Sequence, residues 1–278
     1  MSADDTFERS LAHWSEARRD EMDAFYTVAS LDYRELARAW DWNRELRRHL
    51  PQGGTLRILD VACGSGKFPE ALREHTQLGG LRGTPLVLDL LDPSAFSIRE
   101  ASASLRPPMR AGESFECTLQ ALPAEARDYD VVWAVHALYA LPEAELAEGV
   151  AAFLRALAPN GLGFVGHATR ASHYLAFYEA YRAGREGTTP YTSAEAIAAA
   201  FAAAGATVEV RPLRYTQVIH NEEVLEGFLQ RCLFDDDLSL AAMHADPALG
   251  PYLAERRGDD GAWRFAQEVS MIFVRHAD

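Results

Sequence analysis

A glycine-containing turn and an acidic residue further along the chain have the types and spacing of a nucleoside-binding site. The turn, Asp60-Val-Ala-Cys-Gly-Ser-Gly66, follows an apolar run and precedes a helical pattern. Glycine lets the backbone of such a turn approach a ligand, and the first amides of the following helix attract anionic groups. Asp92 ends the next apolar run, where a carboxylate can accept two hydrogen bonds from a ribose diol. A tight turn and a helix cap before Pro93 are the structural alternatives, and the joint arrangement favours binding.

Pro69 limits the kind of nucleoside that this turn fits. Dinucleotide-binding turns follow the pattern Gly-x-Gly-x-x-Gly, whose third glycine lets a helix pack closely against a strand beside a pyrophosphate. Gly64 and Gly66 supply the first two glycines, and Pro69 stands at the third position. The pattern therefore favours a nucleoside cofactor without a pyrophosphate. An NAD-dependent oxidoreductase is the rival interpretation from another class of protein.

Alternating strands and helices must position these residues. Short apolar runs predict strands over residues 56–61, 86–91, 114–119, 130–135, 162–166, 207–210 and 269–274. Helical spacing and cap residues predict helices over 67–75, 94–105, 143–158, 172–182, 193–204 and 221–232. This order predicts an α/β fold with a doubly wound, mainly parallel, seven-stranded sheet of the Rossmann-like type. We interpret residues 1–278 as one domain, with 1–50 as an N-terminal helical cap and 51–278 as the core with helices on the substrate side.

The charge balance argues against a nucleic-acid-binding protein. The chain has 27 basic and 41 acidic residues, a net charge of −14, and no basic stripe. Its three cysteines are widely spaced, which is typical of a reducing compartment rather than of a disulfide framework. The first residues are acidic and lack the apolar core of a signal peptide, and no run has the length of a membrane span. We therefore expect a cytoplasmic protein whose partner is a small molecule.

The glycine turn resembles the first motif of the class I S-adenosylmethionine-dependent methyltransferases. In that family an acidic residue precedes a glycine-rich turn, as Asp60 precedes Gly64 and Gly66 here, and Ala62 replaces the usual first glycine. The likeness extends over about residues 56–168. It implies that S-adenosylmethionine is the cofactor and that the turn wraps its methionine part.

The same resemblance implies three further cofactor contacts. Asp92 would hold the ribose, Gln120 would lie near the adenine, and Val135 would line the site after the fourth strand. A non-catalytic module that binds S-adenosylmethionine would keep these residues as well. His136 and the aromatic helix at 173–181 argue against that alternative, because they indicate an acceptor pocket.

Segments outside the shared core are similar to the histamine N-methyltransferases. They occur in the same order along the chain, at residues 133–141, 173–181, 191–193, 226–232 and 267–274. His136 replaces that family's glutamine after the fourth strand, Gln267 replaces its substrate-binding asparagine, and Asp32 matches its amine-binding glutamate. The resemblance implies methylation of a small nitrogen-containing aromatic acceptor, of imidazole, indole or amine type, with transfer to nitrogen favoured. The departures leave the acceptor open, and C-methylation of an indole-type ring is the alternative.

His136 and Asp32 are the candidate catalytic residues. His136 directly follows the fourth strand, where a methyl group would meet the acceptor, and its imidazole could take a proton from the acceptor or orient it. A structural histidine at a strand-to-helix corner is the alternative. Asp32 could anchor an amine, although an aspartate in such a polar helical region is expected on a solvated face.

Four aromatic side chains are candidates for a box around a flat or cationic acceptor: Tyr139, Tyr174, Tyr178 and Phe228. Packing of the substrate-side helices against the sheet is the alternative role for each of them. His167, His173 and His220 have no metal-ligand spacing with carboxylates or cysteines, so we assign no metal.

Overall fold

The computed structural model of the chain describes residues 4–51, 54–81, 83–185 and 188–277. Within these residues seven strands form one sheet: β1 Leu56–Val61, β2 Leu86–Leu91, β3 Met109–Phe115, β4 Tyr129–Val135, β5 Leu157–Ala168, β6 Thr207–Ile219 and β7 Trp263–Arg275. Their order is β3-β2-β1-β4-β5-β7-β6. The first five strands pair in parallel, and β7 runs antiparallel to both of its neighbours. This arrangement confirms the predicted doubly wound, mainly parallel sheet.

Eleven α-helices surround the sheet in the described part of the chain: α1 Asp4–His13, α2 Arg19–Arg38, α3 Trp42–Arg48, α4 Lys67–His75, α5 Ala95–Ser104, α6 Leu146–Ala156, α7 His173–Arg182, α8 Ala194–Ala203, α9 Glu222–Leu233, α10 Leu240–Ala245 and α11 Leu249–Ala254. Ser94 and Ser193, the first residues of the predicted helices 94–105 and 193–204, are the N-caps of α5 and α8, because each accepts a hydrogen bond from a backbone N–H three residues ahead. None of these helices is long and apolar enough to cross a bilayer.

The predicted third strand was placed about five residues too late. The true strand, β3, mixes polar and apolar residues without an apolar run, and it begins at the buried Met109, which pairs with Leu86 of β2. An edge strand tolerates this composition because much of its surface faces solvent. Apolar content alone therefore misplaced the strand.

The last two strands are much longer than their apolar runs predicted. β6 and β7 pair with each other along their full lengths, from Thr207 opposite Arg275 to Ile219 opposite Trp263. β5 pairs with β7 only between residues 163–168 and 269–274, so β6 is the only strand of the sheet that pairs with residues 263–268 of β7. The six-residue helices α10 and α11 were not predicted, because each is too short to show a helical period.

The N-terminal helices have two different roles. The end of α2 and all of α3 cover one face of the sheet, where Leu36, Trp42 and Leu46 are buried with Phe68 and the strands. The earlier part of α2 packs against α4 and α9, over the carboxyl ends of the strands. Only part of residues 1–50 is therefore a cap, and the remainder is a layer of the sheet core. That the whole chain forms one domain stays a prediction.

Candidate active site

The turn after β1 takes backbone conformations that favour glycine. Ala62, Gly64 and Gly66 have φ angles of +49°, +51° and +76°, and Gly66 directly precedes α4. A Cβ atom on Gly66 would collide with Ser104 Oγ and lie 3.1 Å from Ala101 Cα. The turn therefore needs glycine at position 66 both for its φ and for the close approach of α5. Ala62 holds a left-handed conformation that is rare for alanine, as residues at functional sites often do.

Asp92 joins this turn to the end of β2. Its Oδ2 accepts a hydrogen bond from the backbone N–H of Gly64 at 3.0 Å, and its Oδ1 accepts one from the N–H of Ser94 at 2.8 Å. Burial raises the pKa of Asp92 to about 6. Each carboxylate oxygen keeps a second lone pair, so Asp92 can still accept hydrogen bonds from a ligand diol.

Asp60 carries a buried oxygen atom without a hydrogen bond. The residue is 4% exposed, and its Oδ2 makes no well-formed hydrogen bond among the described residues. Burial raises the pKa of this carboxyl to about 7, against a smaller opposing effect of the neighbouring Trp133 indole N–H. An unpaired buried carboxylate is costly, so this position favours a ligand that brings a positive charge or an N–H donor.

A cavity of about 430 Å³ lies above the turn at the carboxyl ends of the strands. Six of the seven predicted cofactor residues line it: Asp60, Ala62, Gly64, Asp92, Gln120 and Val135. Gly66 lies behind the turn, where its φ and the absence of a side chain shape the loop. The amide of Gln120 is held by Glu145, whose carboxylate accepts its hydrogen bond at 2.8 Å. Their assignment to parts of the cofactor stays a prediction.

A second, smaller cavity of about 80 Å³ adjoins the first, and we call it the inner cavity. Four residues line both: Trp14, Tyr33, His136 and Tyr139. The rest of its wall is aromatic or apolar, with Asp32, His167 and Arg231 as its charged or titratable exceptions. A large and a small compartment therefore lie side by side at the carboxyl ends of the strands. No group of three His, Cys, Asp or Glu side chains in the described ranges could hold a metal ion.

His136 stands at the boundary of the two cavities. Its φ is +50°, and its backbone N–H donates to the carbonyl of Gly166 at 2.8 Å. The ring contacts Tyr33 edge-on at 5.8 Å, and its Nε2 has no partner among the described side chains. Burial, with a smaller contribution from His167, lowers the pKa of His136 to about 3. The imidazole is therefore neutral at pH 7, which suits a hydrogen-bonding partner better than a proton acceptor.

The expectation that Asp32 lies on a solvated face was wrong. The residue is 2% exposed and lines the inner cavity. Tyr174 Oη donates to it at 2.5 Å and Gln217 Nε2 at 2.8 Å, while burial raises its pKa to about 7. Gln267 contacts Gln217, behind Asp32. Its Nε2 donates to Gln217 Oε1 at 2.7 Å, and its Oε1 accepts a hydrogen bond from Ser172 Oγ. Gln267 thus reaches the cavity only through this buried network.

The four aromatic candidates fall into two layers. Tyr139 and Tyr174 line the inner cavity, whereas Tyr178 and Phe228 lie outside both cavities. Tyr178 stacks on Tyr191 with ring centres 3.6 Å apart, and Phe228 stacks on Phe25 at 5.7 Å. Because Tyr191 and Phe25 are themselves wall residues, Tyr178 and Phe228 support the wall rather than form it.

Sequence reasoning missed the contribution of the N-terminal segment. Trp14 Nε1 donates to Tyr139 Oη at 2.7 Å, and Ser10 Oγ lies 3.1 Å from the same oxygen. Tyr26 and Tyr33 of α2 also line the large cavity. Their spacing of seven residues puts them on one face of a helix, and that signal was available in the sequence.

Comparison with known proteins agrees with this geometry. Residues 58–161 match the family model of a methyltransferase domain, while no curated protein matches the chain by sequence. A candidate methyltransferase from Bacillus halodurans C-125 has the same fold, with a TM-score of 0.57, 13% identity, and coverage of 86% of this chain and 100% of that one. Magnesium protoporphyrin IX methyltransferase from Synechocystis PCC 6803, solved with bound S-adenosylhomocysteine, also has this fold. Its TM-score is 0.53 and its identity is 11%, and the match covers 95% of this chain and 97% of that one.

The residues of the large cavity fit S-adenosylmethionine. The unpartnered carboxylate oxygen of Asp60 can take an ammonium group, the turn at Gly64 admits a close ligand, and Asp92 can accept from a ribose. The matched domain is one of methyltransferases, which decides against the NAD-dependent oxidoreductase. With its strand order, its glycine turn and the match over residues 58–161, the chain carries a methyltransferase domain of the kind that uses S-adenosylmethionine.

Proposed function

We propose that the enzyme methylates a small nitrogen-containing aromatic metabolite, of imidazole, indole or amine type, on nitrogen. The observation that carries the proposal is the position of His136, which lines both cavities and whose buried Nε2 has no hydrogen-bond partner among the described residues. A neutral imidazole at that boundary can exchange a hydrogen bond with a ring nitrogen or an amine. We place the reaction in the cytoplasm and in specialised metabolism.

The shape of the two cavities supports a transfer between a large and a small partner. When bound, S-adenosylmethionine supplies a methyl group on a sulfonium, and such a transfer is an in-line displacement that depends on alignment. Tyr33 and Tyr139 line both cavities and can fix the plane of an aromatic acceptor beside His136. Aromatic walls exclude water and stabilise a dispersed positive charge.

Asp32 supports an amine or a protonated ring as part of the acceptor. Its pKa of about 7 lets the carboxyl take either protonation state near neutral pH, held in place by Tyr174 and Gln217. The carboxylate form would accept a hydrogen bond from an ammonium group. This matches the amine-anchoring role that the resemblance implied for Asp32.

C-methylation of an indole-type ring is the second candidate function. His136 favours it through the same free Nε2, which could accept a hydrogen bond from the ring N–H while carbon is methylated. A solved plantazolicin methyltransferase has this fold, with a TM-score of 0.50, 13% identity, and coverage of 98% of this chain and 96% of that one. That neighbour fits a role in natural-product biosynthesis without distinguishing nitrogen from carbon.

Two measurements test the proposal in order. Calorimetric titration with S-adenosylmethionine, S-adenosylhomocysteine and NAD should show binding of the two adenosyl ligands only. Imidazoles, indoles, aromatic amines and matched phenols are then incubated with isotopically labelled methyl donor, and the methylated atom is located by NMR. Labelling on ring or amine nitrogen is expected. Transfer to phenol oxygen alone would overturn the nitrogen assignment, and transfer to carbon would favour the second candidate.

A further inference from the structure

Arg231 is a buried cation that leaves much of its hydrogen-bonding capacity unused. It lies on α9, is 2% exposed, and forms part of the wall of the inner cavity. Its Nη1 donates to the carbonyl of His13 at 2.7 Å, and its guanidinium lies 5.3 Å from the ring centre of Trp14. Its Nε and Nη2 have no hydrogen-bond partner in the described part of the chain. A buried cation with unpaired donors calls for a ligand.

The two unpaired donors belong to one edge of the guanidinium. The N–H bonds of Nε and Nη2 on that edge point the same way and match the two oxygens of a carboxylate. Asp236 and Glu21 act on Arg231 electrostatically, but neither is hydrogen-bonded to its Nε or Nη2. Asp236 Oδ2 lies 3.1 Å from His13 Nε2 and 3.1 Å from Arg18 Nη1, and Glu21 pairs with Arg18. The protein therefore leaves open the geometry that best binds a planar anion.

Building on the proposed function, we propose that Arg231 binds a carboxylate of the acceptor, so that the substrate is a nitrogen-containing aromatic acid. The inner cavity of about 80 Å³ has room for on the order of five water-sized groups. A carboxylate and the neighbouring carbon fit within that space. Asp32 lines the same cavity, so the wall presents one acidic and one basic group, which together match an acceptor of amino-acid type.

The first test uses the wild-type protein and a pair of ligands of nearly equal shape. Indole-3-acetate and indole-3-acetamide are titrated into protein saturated with S-adenosylhomocysteine. The carboxylate is expected to bind about 10- to 100-fold more tightly than the amide, because hydrogen bonds to charged groups are the stronger ones. Imidazole-4-acetate and its amide form a second pair for the smaller ring. Equal affinities within both pairs would overturn the proposal.

Variants then locate the preference at one residue. Arg231→Gln should abolish the preference for the carboxylate, and Arg231→Lys should retain part of it, because lysine keeps the charge without the planar fork. Arg185→Gln is the matched control: Arg185 pairs with Asp246 at 3.0 Å, lies outside both cavities, and should leave the preference unchanged. A preference that survives in Arg231→Gln would contradict the assignment.

The affinity for S-adenosylhomocysteine, measured on every variant, shows that the large cavity is intact.

Failure of the proposed function and failure of this inference give different results. Methylation of neutral indoles and amines without preference for acids would remove Arg231 as an anchor and leave the methyltransferase assignment standing. Binding of the acids through Arg231 without any nitrogen methylation would remove the nitrogen acceptor and leave the anchor standing.

Discussion

Asp92 Oδ2 accepts a hydrogen bond from the backbone N–H of Gly64 at 3.0 Å, which ties the end of β2 to the glycine turn after β1. The two residues are 28 positions apart, and each belongs to a separate motif of the sequence. The same carboxylate also accepts a hydrogen bond from the N–H of Ser94. One side chain thus fixes the backbone after β1 and the backbone after β2. The glycine turn and the end of β2 are therefore coupled to each other rather than independent motifs.

Replacing this carboxylate should weaken cofactor binding more than it weakens the fold. In Asp92→Ala two backbone N–H groups lose their acceptor, and we expect the affinity for S-adenosylhomocysteine to fall by about 10-fold or more. Asp130→Ala is the control, because Asp130 accepts from the N–H of Arg57 at 2.8 Å and does not line either cavity. Calorimetric titration of both variants should separate them. Equal affinities in Asp92→Ala and the wild type would contradict the coupling.

Gly66→Ala should destabilise the protein and weaken cofactor binding together. The new Cβ meets Ser104 Oγ and Ala101, and the φ of +76° is strained for alanine. A loss of about 1–3 kcal/mol in the free energy of unfolding is expected from overpacking and backbone strain. Gly227→Ala, inside α9 with open space around it, should instead gain about 0.5–1 kcal/mol. Urea unfolding of both variants provides the measurement, and similar changes in the two would refute the argument.

Asp60→Asn should stabilise the cofactor-free protein at neutral and higher pH. Burial raises the pKa of Asp60 from 3.8 to about 7. The folded state keeps this proton while the unfolded chain releases it, so the stabilisation present at low pH is lost as the pH rises to 7. The Tm of Asp60→Asn minus the Tm of the wild type should therefore increase between pH 4 and 7 and stay constant above pH 7.

Calorimetry of Asp60→Asn should at the same time show weaker binding of S-adenosylmethionine, because its ammonium group loses a carboxylate partner. Asp128→Asn is the control, since Asp128 is exposed and its φ of +63° suits asparagine. Asp128→Asn should bind S-adenosylmethionine with the wild-type affinity. A constant difference in Tm between Asp60→Asn and the wild type from pH 4 to 7 would contradict a raised pKa of Asp60 in the folded protein.

His136→Ala should lower kcat about 10- to 100-fold while leaving the affinity for S-adenosylhomocysteine unchanged, because orientation of the acceptor is lost. His136→Asn keeps a hydrogen-bonding group and should recover part of the rate. Because burial lowers the pKa of His136 to about 3, its protonation should not contribute a step to the pH–rate profile between pH 6 and 9. Turnover of His136→Ala at the wild-type rate would remove His136 from the reaction.

Local features of the sequence predicted the elements that hold the cofactor cavity. β1, α4 and β2 begin and end at the predicted residues, because a buried strand and a capped amphipathic helix leave a strong local pattern. β3, β6 and β7 differed from prediction because their extent depends on pairing with a neighbour rather than on their own apolar residues. The division between cap and sheet layer within residues 1–50 depended in the same way on long-range packing.

The sequence by itself determined the α/β class, the glycine turn with Asp92 and the methyltransferase resemblance, since these follow from periodicity and from residue types at short range. Only the tertiary structure decided which polar groups line the inner cavity. Asp32 is buried because Gln217 binds it from 185 positions away, and Arg231 is held by the carbonyl of His13 across 218 positions. Burial of a charge depends on partners from distant strands and helices, and no local pattern records them.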